Sequence, residues 1–351
     1  MSRKSMRYSL ILLSLTLFVG GSCKAQKKEV KKPKQVAVAF YNVENLFDTK
    51  DDPVKLDDDF TPYGAYRYSE KIYRAKLRNI ARVLESMTSK KYPNGPAIIG
   101  LAEVENKTVL RDLTNQPSIK DRGYQYLWYD SPDPRGIDVA MLYDPKQFRV
   151  LKATAVPITY RDEGRLAASR DMLFVRGILE GDTVFIMVNH WPSRKEGQKE
   201  SEPKRIAAAT INKENVEKIW GKNIHANIII MGDMNDNPND KSIEKTLGAF
   251  SNRYIKRLGF LYNPWAEKHQ SGKGTSVYMR QWDHFDQIII SDGLLDNNGW
   301  KYSKAIIYDK EFLKDTYKNA KGYPYRSFKG THWIKGYSDH FPILIELEQE
   351  K

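Results

Sequence analysis

Short apolar runs along this 351-residue chain end next to side chains that could do chemistry. The runs are rich in Val and Ile and hold roughly four to eight residues, which is typical of buried strands. The polar residues at their ends are Asn42, Glu44, Glu103, Asn189, His190, Asp233, Asn235, Asp286, Asp339 and His340. Because strand ends lie on the rim of a sheet, side chains from distant sequence positions converge there. The pattern therefore predicts one site built from carboxylates, imidazoles and amides.

The carboxylates of this set indicate a divalent metal. A carboxylate directly after an apolar run is costly to bury without a partner, and a shared cation would relieve that cost. Oxygen ligands favour Mg²⁺, Mn²⁺ or Ca²⁺ over zinc. Cys23 is the only cysteine and the chain has no HExxH motif, so the sequence argues against structural zinc.

The first 22 residues have the pattern of an export signal. Basic residues precede the apolar residues 10–19, which are too few to span a bilayer comfortably. Small residues then precede Cys23, and this arrangement resembles a bacterial lipoprotein signal peptide over residues 1–22. An ordinary secretory signal that is cleaved nearby is the alternative. We therefore expect an exported protein, lipid-anchored through Cys23 to a bacterial envelope membrane, either periplasmic or on the cell surface.

The remaining sequence divides into a tether and one folded domain. Residues 23–34 are lysine-rich and lack periodicity, as expected of a solvated tether, and residues 35–351 contain no second linker and no repeat. A content of 40% apolar and 29% charged residues fits a globular protein. Much of the net charge of +13 lies in residues 1–34, and the mild basic excess that remains is compatible with a polyphosphate substrate.

Helical patterns separate the apolar runs. Residues 70–87 place Tyr73, Leu77 and Ile80 on one face at three- and four-residue spacing, and residues 203–220 begin with a proline, a favourable first-turn residue. Strands that alternate with helices predict an α/β or α+β layered domain. Apolar runs without polar alternation need both faces covered, so we expect packed sheets with helices outside.

A set of motifs carries a resemblance to a known family. They are residues 42–45 (Asn-Val-Glu-Asn), 101–106 (Leu-Ala-Glu-Val-Glu-Asn), 232–235 (Gly-Asp-Met-Asn), 282–287 (Trp-Asp-His-Phe-Asp-Gln) and 338–342 (Ser-Asp-His-Phe-Pro). In this order, from residue 36 to the end of the chain, they resemble the endonuclease/exonuclease/phosphatase (DNase I-like) superfamily. Residues 135–140 and 189–194 resemble its branch of secreted bacterial nucleases. The resemblance implies a four-layer sandwich, with two mixed β-sheets face to face and helices outside.

The resemblance also implies a metal site. Glu103 would be the principal ligand, with Asn42, Glu44 and Asp339 beside it. Family members often carry Asp where Glu44 stands, which makes this ligand a departure from the pattern. The expected metal is Mg²⁺ or Mn²⁺, with Ca²⁺ as an alternative.

Catalytic roles follow from the same resemblance. Asp233 and Asn235 would align the attacking water and hold the scissile phosphate. His340 would act as general base or phosphate stabiliser, and Asp286 would orient a histidine. His190 would assist the leaving oxygen. Histidine suits these roles because it titrates near neutral pH.

Three further residues are expected to bind substrate phosphate. Arg135 and Arg194 carry guanidinium groups that can hold two phosphate oxygens in a forked geometry, and Asn189 accompanies them in the same blocks. Asp138 lies inside an apolar run and is interpreted either as a buried hydrogen-bond partner or as part of the site.

The favoured function is a metal-dependent phosphodiester hydrolase, namely a monomeric exported endonuclease or exonuclease with DNA or RNA as substrate. Its membrane contact would be the lipid anchor alone. The alternatives are a phosphatase or phospholipid-headgroup phosphodiesterase of the same fold, or a binding lipoprotein without catalysis. Aromatic residues could stack on bases or anchor the core, and the sequence leaves both interpretations open for Tyr63, Tyr66, Tyr68, Tyr124, Tyr126, Trp128 and Tyr129.

Overall fold

The computed structural model describes residues 34–349, so the predicted signal peptide, Cys23 and most of the predicted tether lie outside the described residues. The strands in chain order are β1 (Lys34–Leu46), β2 (Ile98–Val104), β3 (Gln125–Trp128), β4 (Asp138–Tyr143), β5 (Phe148–Val156), β6 (Thr159–Asp162), β7 (Arg165–Ala168), β8 (Met172–Leu179), β9 (Asp182–His190), β10 (Asn227–Asp233), β11 (Ala249–Phe250), β12 (Leu261–Tyr262), β13 (Ser276–Tyr278), β14 (Gln281–Asp283), β15 (Asp286–Ser291), β16 (Lys301–Ile307), β17 (Phe328–Lys329), β18 (His332–Trp333) and β19 (Ile343–Gln349).

The helices are α1 (Glu70–Ser86), α2 (Lys107–Thr114), α3 (Gln198–Trp220) and α4 (Ala266–Gln270), with a π-helical segment at Ser242–Leu247. Short 3₁₀ turns lie at Asp58–Phe60, Lys120–Arg122, Asp292–Leu294 and Glu311–Leu313. The prediction of a helix over residues 203–220 was wrong at its start, because α3 begins at Gln198 and Pro203 lies inside it. Pro203 lacks an N–H and cannot donate the main-chain hydrogen bond of its turn. None of the helices in residues 34–349 is long and apolar enough to cross a lipid bilayer.

Two large mixed sheets form the centre of the molecule. The first sheet has the strand order β16-β19-β1-β2-β4-β3, and the second has the order β11-β12-β15-β10-β9-β8-β5. Within the first sheet β1 and β2 run parallel, and within the second β9 and β10 run parallel. Their other principal pairings are antiparallel. Three separate hairpins are formed by β6–β7, β13–β14 and β17–β18.

The alternation of side chains along β1 shows how the layers stack. Val38 and Phe40 belong to the core cluster that also holds Ile229 and Ile288 of the second sheet, so this face of β1 packs between the sheets. Ala39 and Tyr41, on the opposite face, pack with buried residues of α1 and α2. The other face of the second sheet packs with apolar residues of α3. The four-layer sandwich predicted from the sequence is therefore confirmed.

The two sheets approach so closely at Gly100 that no larger residue fits. A Cβ atom added there would lie 2.6 Å from Sδ of Met231, which belongs to the facing sheet. Because protein interiors are close-packed, this contact brings the carboxyl ends of β2 and β10 near each other. The rim where these strands end carries the candidate site.

Candidate active site

Regular strand pairing aligns three site residues in the second sheet. Asp233 is the last residue of β10 and pairs with Asp286 of β15 on one side and His190 of β9 on the other. Asp286 is fully buried, and Asp233 and His190 are nearly so. The register of three neighbouring strands therefore sets a carboxylate, a second carboxylate and an imidazole in one row at the rim.

The first sheet positions its site residues through irregular backbone. Pairing of β1 with β2 shifts between Asn42 and Leu46, and pairing of β2 with β4 shifts between Ala102 and Val104. The residues next to these shifts have left-handed backbones, with φ of 52° at Glu44, 56° at Asn45 and 65° at Glu103. Non-glycine residues adopt this region at an energetic cost, and such strain concentrates at functional sites.

Asn42 connects the two halves of the site. Its Nδ2 donates to Glu103 Oε1 at 3.2 Å and to Asp233 Oδ2 at 3.0 Å. Its Oδ1 accepts from the backbone N–H of Glu44 at 3.0 Å, and the backbone N–H of Asn45 donates to Glu103 Oε2 at 2.8 Å. Asn42 therefore orients two carboxylates through its amide N–H groups, and its role as a metal ligand stays a prediction.

His340 and Asp286 form a tightly bonded pair. His340 Nδ1 lies 2.7 Å from Asp286 Oδ2, and His340 Nε2 lies 3.8 Å from Asp233 Oδ2. Burial of the ring disfavours the imidazolium, but the carboxylates of Asp286, Asp233 and Asp339 outweigh it and raise the pKa of His340 well above its usual value. The surrounding carboxylates therefore favour the imidazolium form of His340, which can donate through Nε2.

His190 stands on the other side of Asp233 with the opposite character. Its Nε2 lies 3.7 Å from Asp233 Oδ2 and 3.9 Å from Glu103 Oε1. Burial, with the positive charges of Arg170 and Arg135 nearby, lowers the pKa of His190 well below its usual value. Its Nδ1 has no hydrogen-bond partner among residues 34–349. Its surroundings therefore favour the neutral form of the His190 imidazole.

The turn after Asp233 holds Asn235. The backbone N–H of Asn235 donates to Asp233 Oδ1 at 3.0 Å, and its side-chain Nδ2 donates to the carbonyl of Trp191 at 3.0 Å. Its φ of 49° turns the chain sharply at this point. Burial raises the pKa of Asp233 to about 6, while the positive charge of His340 opposes this rise.

A second cluster of charge lies around Glu44 and Asp339. Glu44 Oε2 accepts from the backbone N–H of Ser327 at 2.6 Å, and its Oε1 lies 3.6 Å from Nε of Arg326. Arg326 Nη2 also donates to Asp339 Oδ2 at 3.1 Å. Burial and the nearby Asp339 carboxylate raise the pKa of Glu44 to about 7. Lys76 is fully buried beneath them and donates to Ser327 Oγ at 2.7 Å.

These residues fit a divalent cation by their chemistry. Glu103, Glu44 and Asp339 offer oxygen atoms only, which suits Mg²⁺, Mn²⁺ or Ca²⁺. Burial first, and the Asp339 carboxylate second, raise the pKa of Glu44, and a bound cation would offset both effects. The tightest grouping of possible ligand atoms in the described chain is Asp233, Asp286 and His340, within 4.8 Å of one another. In that group the bond between Asp286 and His340 already occupies Nδ1 of the imidazole and one carboxylate oxygen.

The three residues predicted to bind phosphate have different surroundings. Arg135 is exposed and lies 3.5 Å from Asp133 by its Nε atom, which leaves most of the guanidinium accessible. Asn189 is fully buried, and its amide bonds Asn212 and Trp191. The prediction for Asn189 is therefore wrong, because none of its polar atoms reaches the rim.

Arg194 also requires correction. Its Nε donates to the carbonyl of Asn235 at 2.8 Å, and its Nη2 donates to Asp236 Oδ1 at 2.8 Å. The guanidinium stacks over the ring of Phe285 and bonds Asp240 as well. Arg194 therefore holds the turn around Asn235 in place. Its guanidinium has no two neighbouring nitrogens that are both free to bind phosphate.

Sequence analysis missed three cations that support the site. Arg170 is buried and donates to the carbonyls of His190 at 3.1 Å and Trp191 at 2.6 Å. Lys76 and Arg326 surround Glu44. A detectable signal existed only for Lys76, which interrupts the apolar face of the predicted helix over residues 70–87.

The comparisons with known proteins agree with this architecture. The sequence model of the endonuclease/exonuclease/phosphatase family matches residues 37–349. We found no curated protein with a significant sequence match to this chain.

Several solved structures share the fold. The structure of D. rerio TDP2 complexed with a single-strand DNA product has a TM-score of 0.54 and 12% identity, and covers 89% of this chain and 98% of that chain. A mannosyl-6-phosphatase from Bacteroides thetaiotaomicron has a TM-score of 0.53 and 17% identity, with coverage of 89% and 99%. Truncated TDP2 from Caenorhabditis elegans has a TM-score of 0.51 and 18% identity, with coverage of 90% and 98%. At these identities the likeness shows the fold, and with the family model spanning nearly all of the described residues, the chain belongs to the endonuclease/exonuclease/phosphatase family.

Proposed function

We propose that this chain is an exported, metal-dependent phosphodiesterase that cleaves DNA or RNA. Members of its family are metal-dependent phosphoester hydrolases, which supports the reaction class. The observation that carries the proposal is the position of Asp233 Oδ2 between two imidazoles, 3.8 Å from His340 Nε2 and 3.7 Å from His190 Nε2. A buried carboxylate with one charged and one neutral imidazole provides a proton acceptor and a proton donor in the same small volume.

Hydrolysis needs both of these groups. The oxygen of water forms a bond to phosphorus while one P–O ester bond breaks, so water loses a proton and the leaving oxygen gains one. Asp233 is ionised above about pH 6 and accepts the proton of the attacking water. The imidazolium of His340 stabilises the phosphate charge and supplies the proton for the leaving oxygen. Neutral His190 contributes a hydrogen bond through Nε2.

Glu103, together with Glu44 and Asp339, would hold the metal. A bound divalent cation neutralises charge on the phosphate oxygens and on the leaving group. Asn42 bonds both the Glu103 and the Asp233 carboxylates, so a cation held by Glu103 would lie beside the proton-transfer residues. The identity of the metal is part of the proposal, with Mg²⁺ or Mn²⁺ expected and Ca²⁺ the alternative.

Two observations favour a nucleic-acid substrate. The chain has an excess of basic residues, and the similar D. rerio structure contains a single-strand DNA product. The aromatic residues considered for base stacking divide by burial, because Tyr68 and Tyr124 lie in the core while Tyr63 and Tyr129 are exposed. Tyr66, Tyr126 and Trp128 are partly buried, so only the two core tyrosines are excluded from contact with bases.

A substrate panel tests the proposal. Plasmid, single-stranded DNA, RNA, mannose 6-phosphate, a phosphoinositide and sphingomyelin should be incubated with Mg²⁺, Mn²⁺ or Ca²⁺. We expect cleavage of at least one nucleic acid, complete loss of activity in EDTA, and recovery when Mg²⁺ or Mn²⁺ is added in excess. Full activity in EDTA would refute the metal assignment. Release of phosphate from mannose 6-phosphate without cleavage of any polymer would instead identify a phosphomonoesterase.

A matched pair of histidine variants controls this experiment. His340→Ala should lower turnover by about 10²–10⁴, and His225→Ala should retain it. His225 is exposed and precedes β10 at the end of the strand opposite Asp233.

Export is a separate part of the proposal. It rests on the sequence pattern around Cys23, the only cysteine of the chain. We expect the wild-type protein to partition with membranes and to incorporate a labelled fatty acid, and Cys23→Ala to do neither. Recovery of both proteins in the same soluble fraction, without label, would contradict lipidation.

A further inference from the structure

The hairpin formed by β13 and β14 presents unusual side chains to solvent. Its two-residue loop is Met279–Arg280, flanked by the pair Tyr278 and Gln281. The side chains of Tyr278 and Met279 are 67% and 78% exposed, and Arg280 and Gln281 are exposed as well. An aromatic ring, a thioether and a guanidinium thus lie together at the tip.

The base of this hairpin is bonded to the catalytic pair. Ser276 forms an antiparallel bridge with His340, and the N–H of Phe341 donates to the carbonyl of Thr275 at 2.7 Å. The N–H of Thr275 in turn donates to the carbonyl of Asp283 at 2.8 Å. Backbone hydrogen bonds therefore join the base of the hairpin to the segment that contains His340.

A second set of hydrogen bonds joins the hairpin to the catalytic turn, residues 233–237. Asn237, which follows Asn235, donates from Nδ2 to Asp283 Oδ1 at 2.9 Å and accepts from the backbone N–H of His284 at 2.7 Å. Ser276, Tyr278, Gln281 and Asp283 share one face of the hairpin, because side chains alternate along each strand. Tyr278 therefore lies on the face that meets this turn, about 7 Å along the strand from Ser276.

The loop has a strained backbone that its own packing does not explain. Met279 and Arg280 both have left-handed conformations, with φ of 46° and 66°. Two-residue hairpin loops with positive φ at both positions strongly prefer Asn-Gly or related residues. Met and Arg meet this geometry at a cost of roughly 1 kcal/mol or more each, and neither side chain is buried in return. No packing within the protein compensates for this cost, which indicates that the exposed tip binds a ligand.

We propose that the tip of the β13–β14 hairpin, residues 278–281, binds the nucleic-acid strand next to the scissile phosphate. Tyr278 stacks on an unpaired base, and Arg280 contacts the adjacent phosphate. The chemistry favours a nucleic acid over a membrane, because Arg280 and Gln281 make half of the tip polar. This inference rests on the proposed function and names the part of the substrate that the hairpin recognises.

The test compares binding with chemistry in a set of full-length variants. Each carries Cys23→Ala, so that no lipid anchor contributes. Tyr278→Ala/Arg280→Ala is the test variant, and Tyr254→Ala/Arg253→Ala is the matched control. Tyr254 is 74% exposed and bonds Arg253, with no hydrogen bond to a site residue in the described chain.

Two substrates and one binding assay are needed. We expect the test variant to lose about tenfold in affinity for a fluorescent single-stranded oligonucleotide, measured by anisotropy in EDTA, as for a lost base stack. Its KM for the oligonucleotide should rise in proportion. Its kcat/KM on bis(4-nitrophenyl) phosphate, which is too small to reach the tip, should match that of the control.

The outcomes separate this inference from the proposed function. If the parent protein hydrolyses neither substrate but the test variant alone loses oligonucleotide binding, the proposed function fails and the hairpin contact stands. If the test variant binds and cleaves the oligonucleotide like the control, the inference is overturned. It is also overturned if the test variant keeps oligonucleotide binding but loses association with phosphatidylglycerol vesicles, because the tip would then be a membrane contact. Melting temperatures of all variants should agree, since the changed side chains are exposed.

Discussion

The two sheets contribute to the site in different ways. The second sheet aligns His190, Asp233 and Asp286 by unbroken register, and all three are buried. The first sheet delivers Glu44 and Glu103 through pairing shifts and left-handed residues, and Glu103 remains partly exposed. The second-sheet half is therefore fixed and buried, which suits the proposed proton transfer, and the first-sheet half is partly open, which suits the proposed cation site.

The difference has a physical reason. The register of paired strands fixes His190, Asp233 and Asp286 relative to one another, as proton transfer through a bound water or substrate requires. A cation that must also bind substrate needs ligands whose oxygens face solvent, and a regular strand would turn alternate side chains inward. At the shifted pairing between Asn42 and Leu46, the backbone N–H groups of Glu44 and Asn45 donate to site side chains.

Removing His340, which precedes β19 of the first sheet and bonds Asp286 of the second, should give the largest effect because it breaks the proton-transfer group. His340→Ala should lower kcat by about 10²–10⁴, as for a lost acid or base, while the metal concentration for half-maximal activity stays unchanged. It also leaves the buried Asp286 carboxylate without its partner, so the melting temperature should fall. The double variant Asp286→Asn/His340→Ala should recover part of that stability without recovering activity. Near-normal turnover of His340→Ala, with Glu103→Ala inactive, would move the proton-transfer role to His190.

Two variants of Asn235 separate the effect of its side-chain amide on kcat from the effect of its left-handed backbone on stability. Both Asn235→Ala and Asn235→Gly remove the bond to the Trp191 carbonyl, and both should lose about 10²-fold in kcat. Glycine adopts a φ of 49° without steric cost, whereas alanine does not and lacks a polar side chain to stabilise it. Only the alanine variant should therefore also have a lower melting temperature. Equal melting temperatures for the two variants would show that this conformation carries no strain.

Glu103 tests the first-sheet half. Glu103→Ala should raise the Mg²⁺ or Mn²⁺ concentration needed for half-maximal activity by about tenfold or more, and excess metal should restore part of the activity. His340→Ala, with its metal site intact, should show no such rescue. A Glu103→Ala protein whose activity is insensitive to added metal would contradict the assignment.

Replacing Asp138 should give the smallest effect, which is on the free energy of unfolding alone. Asp138 pairs with Val104, beside Glu103, and neither of its carboxylate oxygens has a hydrogen-bond partner in residues 34–349. Burial raises its pKa to about 7, so the folded protein keeps a proton that the unfolded chain releases near pH 4, and stability falls as pH rises between these values. Asp138→Asn should therefore stabilise the protein by roughly 1–3 kcal/mol at about pH 8 and have no effect below about pH 4. Denaturant unfolding at both pH values measures this, and identical curves for the two proteins at high pH would refute it.

The sequence alone predicted the layers and the rim. Apolar runs without alternation required two covered faces, and the structure has two sheets between helices. The polar residues at the ends of these runs indicated a site, and the structure brings Asn42, Glu103, Asp233 and His190 into contact range. Strand ends are recognisable in sequence because burial dictates residue type locally.

Tertiary structure decided which neighbours face the site. Asn189 and His190 adjoin on β9, but side-chain alternation turns Asn189 into the interior and His190 to the rim, and sequence does not say which face is which. Arg194 has the chemistry of a phosphate ligand, yet Asp236 and the Asn235 carbonyl occupy its guanidinium. Lys76 and Arg326 reach Glu44 only because distant segments pack together. Residue type and spacing set what a side chain can do, and the long-range contacts of the fold set which partner it meets.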